Sequence, residues 1–198
     1  MYSELSSYIQ NVKRTPAEIS EGRIDQLNNI ANYIREKGEA KLTFICTHNS
    51  RRSHLCQIWA KVMAEYLGVA NLETYSGGTE ATAFNSRAVA AIKRAGFVVE
   101  KPDGNNPRYK IFFDENEKPL ICFSKTFDDT YNPQKDFAAI MTCSDADENC
   151  PVVPGAEKRF SIPYVDSKES DGTPQEKATY DERCRQIATE MYYLMSQV

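Results

Sequence analysis

Cys46, Arg52 and Ser53 stand together in the stretch Lys41-Leu-Thr-Phe-Ile-Cys-Thr-His-Asn-Ser-Arg-Arg-Ser53. A thiol followed after a short polar interval by a guanidinium and a hydroxyl is a set suited to attack on a tetrahedral oxyanion. The sulfur supplies the bonding electron pair, and the guanidinium pairs with the anion's equatorial oxygens. An apolar run from Leu42 to Ile45 precedes the cysteine, and a helical pattern follows the arginine, so the stretch reads as strand, anion loop, helix. The amides of Thr47, His48, Asn49, Ser50, Arg51 and Arg52 would then converge on the anion with the helix N-terminus behind them. The same field favours the thiolate of Cys46.

A second group of thiols lies far along the chain, in Cys143-Ser-Asp-Ala-Asp-Glu-Asn-Cys150-Pro. Two cysteines in an acidic polar run can be structural, can exchange disulfides or can ligate a metal. Metal is the poorer reading, because neither a C-x-x-C nor a pair of histidines at ligand spacing is present. Cys56 and Cys184 fall on apolar helix faces and Cys122 in a hairpin pattern, so all three read as core residues. His54 reads as a packing or hydrogen-bonding residue and Arg51 as solvent-facing, with some pull on an anion.

The elements that must position these groups can be traced in order. Residues 1–40 carry two helical patterns broken around Thr15-Pro16, where Thr15 caps, Pro16 starts and Glu18 follows in the first turn. Ile19, Ile24, Leu27, Ile30 and Ile34 keep an apolar stripe to Gly38, which suggests an added helical segment packed on the core. After the loop, a helix from Arg52 to Leu67 ends at Gly68. A strand over Leu72–Tyr75 runs into Ser76-Gly77-Gly78-Thr79, a turn where backbone could approach a ligand closely. Asn85 caps a further helix ending at Gly96. Residues 101–136 interrupt the rhythm with loop signals and a hairpin of 109–113 with 120–123, an inserted substrate-side flap or edge decoration. Strands at 137–142 and 159–162 resume the pattern, and Thr173-Pro174 starts a last helix with Tyr180, Cys184, Ile187, Met191 and Leu194 inward. Alternating strands and helices predict an α/β open sheet of parallel strands covered on both faces, with ligands at the strands' carboxyl ends. The expected organisation is one domain: an extension over 1–40 and a core over 41–198 with its insertion near 101–136.

Composition narrows the class. The chain has 198 residues, 41% of them hydrophobic, enough for one core. Acidic residues outnumber basic ones, 28 to 24, and no long cationic block occurs, which argues against a nucleic-acid surface. No run approaches the roughly 20 apolar residues of a membrane span, and the opening Met1-Tyr-Ser-Glu lacks the features of a signal peptide. A cytoplasmic protein is expected, and there six cysteines point away from structural disulfides.

Cys-Thr-His-Asn-Ser-Arg-Arg-Ser, with the later Tyr-Ser-Gly-Gly-Thr-Glu, resembles the low-molecular-weight protein tyrosine phosphatase superfamily, whose usual loop is Cys-x-Gly-Asn-x-x-Arg-Ser. The segment from Cys143 to Pro151 is similar to the paired-cysteine segment of the arsenate reductases recycled by thioredoxin. The resemblance covers about 41–100 and 137–196. It implies four parallel strands with helices on both sides, Cys46 as nucleophile, Arg52 as oxyanion clamp, Ser53 as donor to the thiolate and Asn49 as the residue that holds the loop's shape. His48 replaces the usual glycine, a strained choice if the position needs a positive φ. Asp166 occupies the place of the family's general acid, followed by Ser167 instead of proline, with Asp171 a weaker candidate.

Two enzymes are compatible with this set. Reduction of arsenate to arsenite needs Cys46, then Cys143 as second thiol and Cys150 as third, with a mobile 144–149 loop, an outward Cys150 and a thioredoxin-like reductant. Hydrolysis of a phosphotyrosine or other phosphate monoester needs Cys46 and Asp166 only. A non-catalytic oxyanion-binding or redox-responsive regulator is a third reading. None of the three calls for a cofactor or metal.

Overall fold

The structure, a computed structural model, describes residues 1–13, 19–150 and 152–198. Its centre is a four-stranded parallel sheet made of β1 (Ala40–Cys46), β2 (Leu72–Gly78), β6 (Phe137–Met141) and β7 (Ala156–Ser161), in the order β2-β1-β6-β7. Burial explains why these strands read so clearly in the sequence. Central β6, Phe-Ala-Ala-Ile-Met, is buried throughout, and β1 nearly so, whereas edge strand β7 carries Glu157, Lys158 and Arg159 outward. Leu42, Phe44 and Ile140 point to one face, and Ile45, Ala139 and Met141 to the other, as a period of two requires.

The first face is covered by α2 (Glu21–Lys37), α3 (Arg52–Leu67) and α6 (Glu176–Ser196), with α1 (Ser3–Val12) and α4 (Ser86–Arg94) continuing the same core. Among the described residues, the second face carries α5 (Ser144–Asn149), Val153 and the chain around Phe127. Helices therefore lie on both sides of the sheet as expected, but unevenly. Asn85 caps α4 by accepting from the amides of Arg87 and Ala88. Gly68 ends α3 in the left-handed region. Inward positions of α6 are those the spacing predicted, although the helix begins at Glu176, with Thr173-Pro174 in the turn before it. The expected cap at Thr15, Pro16 and Glu18 lies outside the described residues; Ser20 stands at the N-cap of α2.

The expected hairpin in 101–136 is present, β4 (Tyr109–Phe112) with β5 (Leu120–Cys122), and β3 (Val98–Glu100) joins it in a separate antiparallel sheet. The chain leaving it lies against the back of the anion loop, where a flap would cover the front. Two other expectations are corrected. Ser76-Gly77-Gly78 is not a turn: β2 continues to Gly78 because β1 pairs with it as far as Cys46. Its glycines are needed for close approach of backbone to backbone, since a Cβ on Gly78 would sit 2.7 Å from Asn49 N and Thr47 O, and one on Gly77 2.4 Å from Phe127 Cα. Finally, 144–149 is a short helix, with Cys143 as its N-cap accepting from Ala146 N. Polar residues with Asp at 145 and 147 suit a helix's first turn as well as they suit a loop.

Candidate active site

The loop between β1 and α3 is built by giving away its carbonyl groups. Thr79 N donates to Cys46 O, Glu80 N and Thr79 Oγ1 to Thr47 O, Ser124 Oγ and Thr82 Oγ1 to His48 O, and Asn85 N to Ser50 O. A planar trans peptide places the N–H of the next residue opposite each carbonyl. The amides of Thr47, His48, Asn49 and Arg51 are therefore turned away from these partners. Below them is a shallow hollow lined by Cys46, His48, Ser50, Arg51, Arg52 and Asp166. Larger grooves lie elsewhere; one at the amino ends of β1 and β2, lined by Lys37, Lys41, Lys61 and Glu73 among others, contains no thiol or hydroxyl side chain.

Within this frame Cys46 Sγ lies 3.1 Å from Ser53 Oγ, and Asn49 Nδ2 donates to that same oxygen at 2.8 Å. With Asn49 donating, the Ser53 hydroxyl proton is left to the sulfur. Asn49 Oδ1 accepts from Lys125 N at 3.0 Å, so one side chain ties loop, helix and insertion together. The positive φ that would strain His48 falls on Asn49, at 43°. Asparagine tolerates that region, and histidine at 48 carries no such strain. The His48 imidazole is half-exposed, 3.7 Å from Glu80.

Arg52 Nη1 donates to Tyr164 O at 3.1 Å, and Nη2 lies 3.0 Å from Asp166 Oδ2. Arg51, expected in solvent, is instead only 12% exposed: its Nε donates to Tyr180 Oη and its Nη1 is 3.6 Å from the same Asp166 oxygen. Asp166 is thus flanked by two guanidinium groups. Ser167 does not loosen its loop, because Asp166 accepts from Lys168 N and Ser170 Oγ donates to Ser167 O in a 3-10 turn. Asp171 is engaged by Tyr180 and Arg87 and does not line the hollow.

The two remaining sequence candidates, Cys143 and Cys150, meet the nucleophile from the next strand and the chain after it. Ile45 pairs with Met141, so Cys143, two residues past β6, falls beside Thr47, one strand spacing of about 4.8 Å away. Thr47 Oγ1 is 3.5 Å from Cys143 Sγ. Cys46, Cys143 and Cys150 belong to one apolar cluster with Ile45, Met141 and Val153, and all six cysteines are free thiols. Cys150 was expected outward but is packed, with Sγ donating to Val152 O and its carbonyl accepting from Arg159. Cys56, Cys122 and Cys184 are core residues, and burial pushes each thiol up, the latter two to about 12. His54 is a packing residue: it stacks on Phe84, its Nε2 meets Phe123 O, and burial lowers it to about 3, leaving it neutral. Among the described residues no cluster of metal-ligating side chains occurs, and no helix is long and apolar enough to cross a membrane.

Sequence reasoning missed Lys125, and it read Tyr180 only as an inward residue of the last helix and not as the partner of Arg51. Buried Lys125 sits over the Phe123 and Tyr131 rings, and desolvation lowers its ammonium to about 8. Nothing local marks either residue, because each reaches the loop from a distant element.

This fold and loop define a class, the cysteine-based α/β enzymes that handle tetrahedral oxyanions. The chain is 30% identical over 142 residues to the arsenate reductase of Bacillus subtilis, covering 72% of this chain and 84% of that protein. It is 34% identical over 116 residues to an arsenate reductase of Staphylococcus epidermidis, covering 59% and 70%. A low-molecular-weight protein tyrosine phosphatase from T. tengcongensis has the same fold, at TM-score 0.54 and 17% identity over 81% of this chain and all of that one. No family model matches the chain. The chain belongs to the low-molecular-weight protein tyrosine phosphatase superfamily and is an enzyme of its arsenate reductase or phosphatase type.

Proposed function

We propose that the protein reduces arsenate to arsenite through Cys46, Cys143 and Cys150. The observation that carries this reading is the placement of three reduced thiols in one cluster at the carboxyl ends of adjacent strands β1 and β6. Cys46 thiolate adds to arsenic(V) as water leaves, with Arg52 and the loop amides holding the oxygens. Cys143 thiolate then attacks Cys46 Sγ; the sulfur–arsenic bonding pair stays on arsenic, which departs as arsenite, and a Cys46–Cys143 disulfide forms. Cys150 attacks Cys143 Sγ and releases Cys46 as thiolate, leaving a Cys143–Cys150 disulfide for an external dithiol of the thioredoxin type. Residues seven apart along a helix have Cα atoms about 10 Å apart, whereas a disulfide needs about 4.4–6.8 Å, so α5 unwinds in the last step. A cytoplasmic setting, where thiols are kept reduced, suits this chemistry.

A phosphatase reading is favoured by one observation, the position of Asp166 over Arg52. There Asp166 protonates the leaving oxygen and water hydrolyses the phosphocysteine. The Cys143→Ser variant separates the two readings. Arsenate-dependent oxidation of a thioredoxin is expected to fall to background while any hydrolysis of p-nitrophenyl phosphate persists. Undiminished arsenate turnover in that variant would sink the relay.

A further inference from the structure

The orientation of Arg52 is set from one short segment. Its Nη1 donates to Tyr164 O and its Nη2 meets Asp166, while its Nε is buried with no partner among the described residues. Pro163 to Asp166 is irregular chain between β7 and the 3-10 turn, and Tyr164 N ties it to Thr142 O. On its far side it is gripped by Arg23, from α2. Arg23 Nη2 donates to Pro163 O at 2.5 Å, and its guanidinium carbon lies 5.1 Å from the centre of the Tyr164 ring. Its Nε is 3.4 Å from Glu190 Oε2, the same oxygen that accepts from Tyr164 Oη at 2.7 Å. Tyr164 is thus fixed at its ring, its hydroxyl and the preceding carbonyl by an arginine and the carboxylate paired with it.

Glu190 on α6 is almost fully buried. Removing Arg23 leaves that carboxylate without its cation, which a buried site tolerates poorly, and frees Pro163 O at the same time. Relaxation moves the carbonyl on which Arg52 rests. We propose that Arg23 is a positioning residue for the oxyanion site, so that the amino-terminal extension, which lies outside the stretch of family resemblance, sets the clamp arginine through Pro163 and Tyr164. This rests on the reading of Arg52 as the oxyanion clamp and needs neither the relay nor an electron donor.

The test is protection of Cys46 from iodoacetamide by inorganic phosphate, in the full chain. Arg23→Met is expected to weaken phosphate about tenfold, with Tyr164→Phe moving it in the same direction and Arg23→Lys recovering part of the loss. Lys37→Ala, which breaks the α2 contact to Glu157 and touches none of these groups, is expected to lower the melting temperature and leave phosphate affinity within about twofold. Phosphate affinity of Arg23→Met within twofold of wild type overturns the proposal, and so does an equal loss in Lys37→Ala, which would mean general loosening. Should Arg23→Met not fold, Arg23→Lys and Tyr164→Phe decide it by the same measure. If phosphate protects wild-type Cys46 but arsenate is not reduced, only the relay fails; if phosphate gives no protection, the oxyanion site and this inference fall together.

Discussion

Asn49 shows how much one side chain can settle at the residue scale. Its left-handed backbone lets the loop turn, its amide nitrogen directs the Ser53 hydroxyl toward Cys46, and its carbonyl oxygen accepts from Lys125 N. His54, one residue beyond Ser53, contributes differently. Held near 3 in the folded protein against 6.5 for a free imidazole, it stays neutral where the unfolded chain takes up a proton. Between those values the unfolded state binds more protons, so this contribution is whole above 6.5 and is lost as pH falls toward about 3, by at most about 1.4 kcal/mol per pH unit. Urea unfolding between pH 6.5 and 5 is expected to show that slope in the wild type and a shallower one in His54→Gln. Equal slopes would remove His54 from the acid sensitivity.

At the scale of elements, the loop is shaped less by its own residues than by the strand end beside it. Backbone at Gly78 comes so close to 47–49 and to Glu80 O that a methyl group there would lie 2.3 Å from that oxygen. The three nearest atoms it would meet are all backbone, which cannot rotate away. Gly78→Ala is therefore expected to displace the loop, costing about 1–3 kcal/mol of stability and weakening phosphate binding about tenfold or more. Phosphate affinity equal to wild type in the folded variant would show that the close approach is not needed. The segment from Ser124 to Phe127 closes the other side of this junction, since Gly78 N donates to Lys125 O and Phe127 N to Gly78 O. The insertion thus supports the loop from behind.

Across the whole molecule, the amino-terminal helices share the main core instead of resting on its surface. Leu5 and Ile9 of α1 are fully buried, Tyr8 stacks on Trp59, and Gly96, at φ 100°, lets Leu5 backbone pass where a Cβ would sit 2.4 Å from its nitrogen. Leu5→Ala is expected to cost about 2–5 kcal/mol and to move the entire urea transition, followed in parallel by Trp59 fluorescence and circular dichroism. A separate early fluorescence change would show that α1 detaches on its own. Legible in the sequence alone were the strand–loop–helix around Cys46, the order along the chain of the four parallel strands and the long helices, the inward face of α6 and the cap at Asn85. Each of these is written in spacing or residue type within a few neighbours. Only the tertiary structure decided that Arg51 turns inward to Tyr180, that the positive φ lies at Asn49, that Cys150 is packed, and that Tyr164, Asp166 and Arg23 converge around Arg52. Those outcomes depend on contacts between residues up to about a hundred or more positions apart, where packing and paired burial of charge choose the partner and no local pattern records the choice.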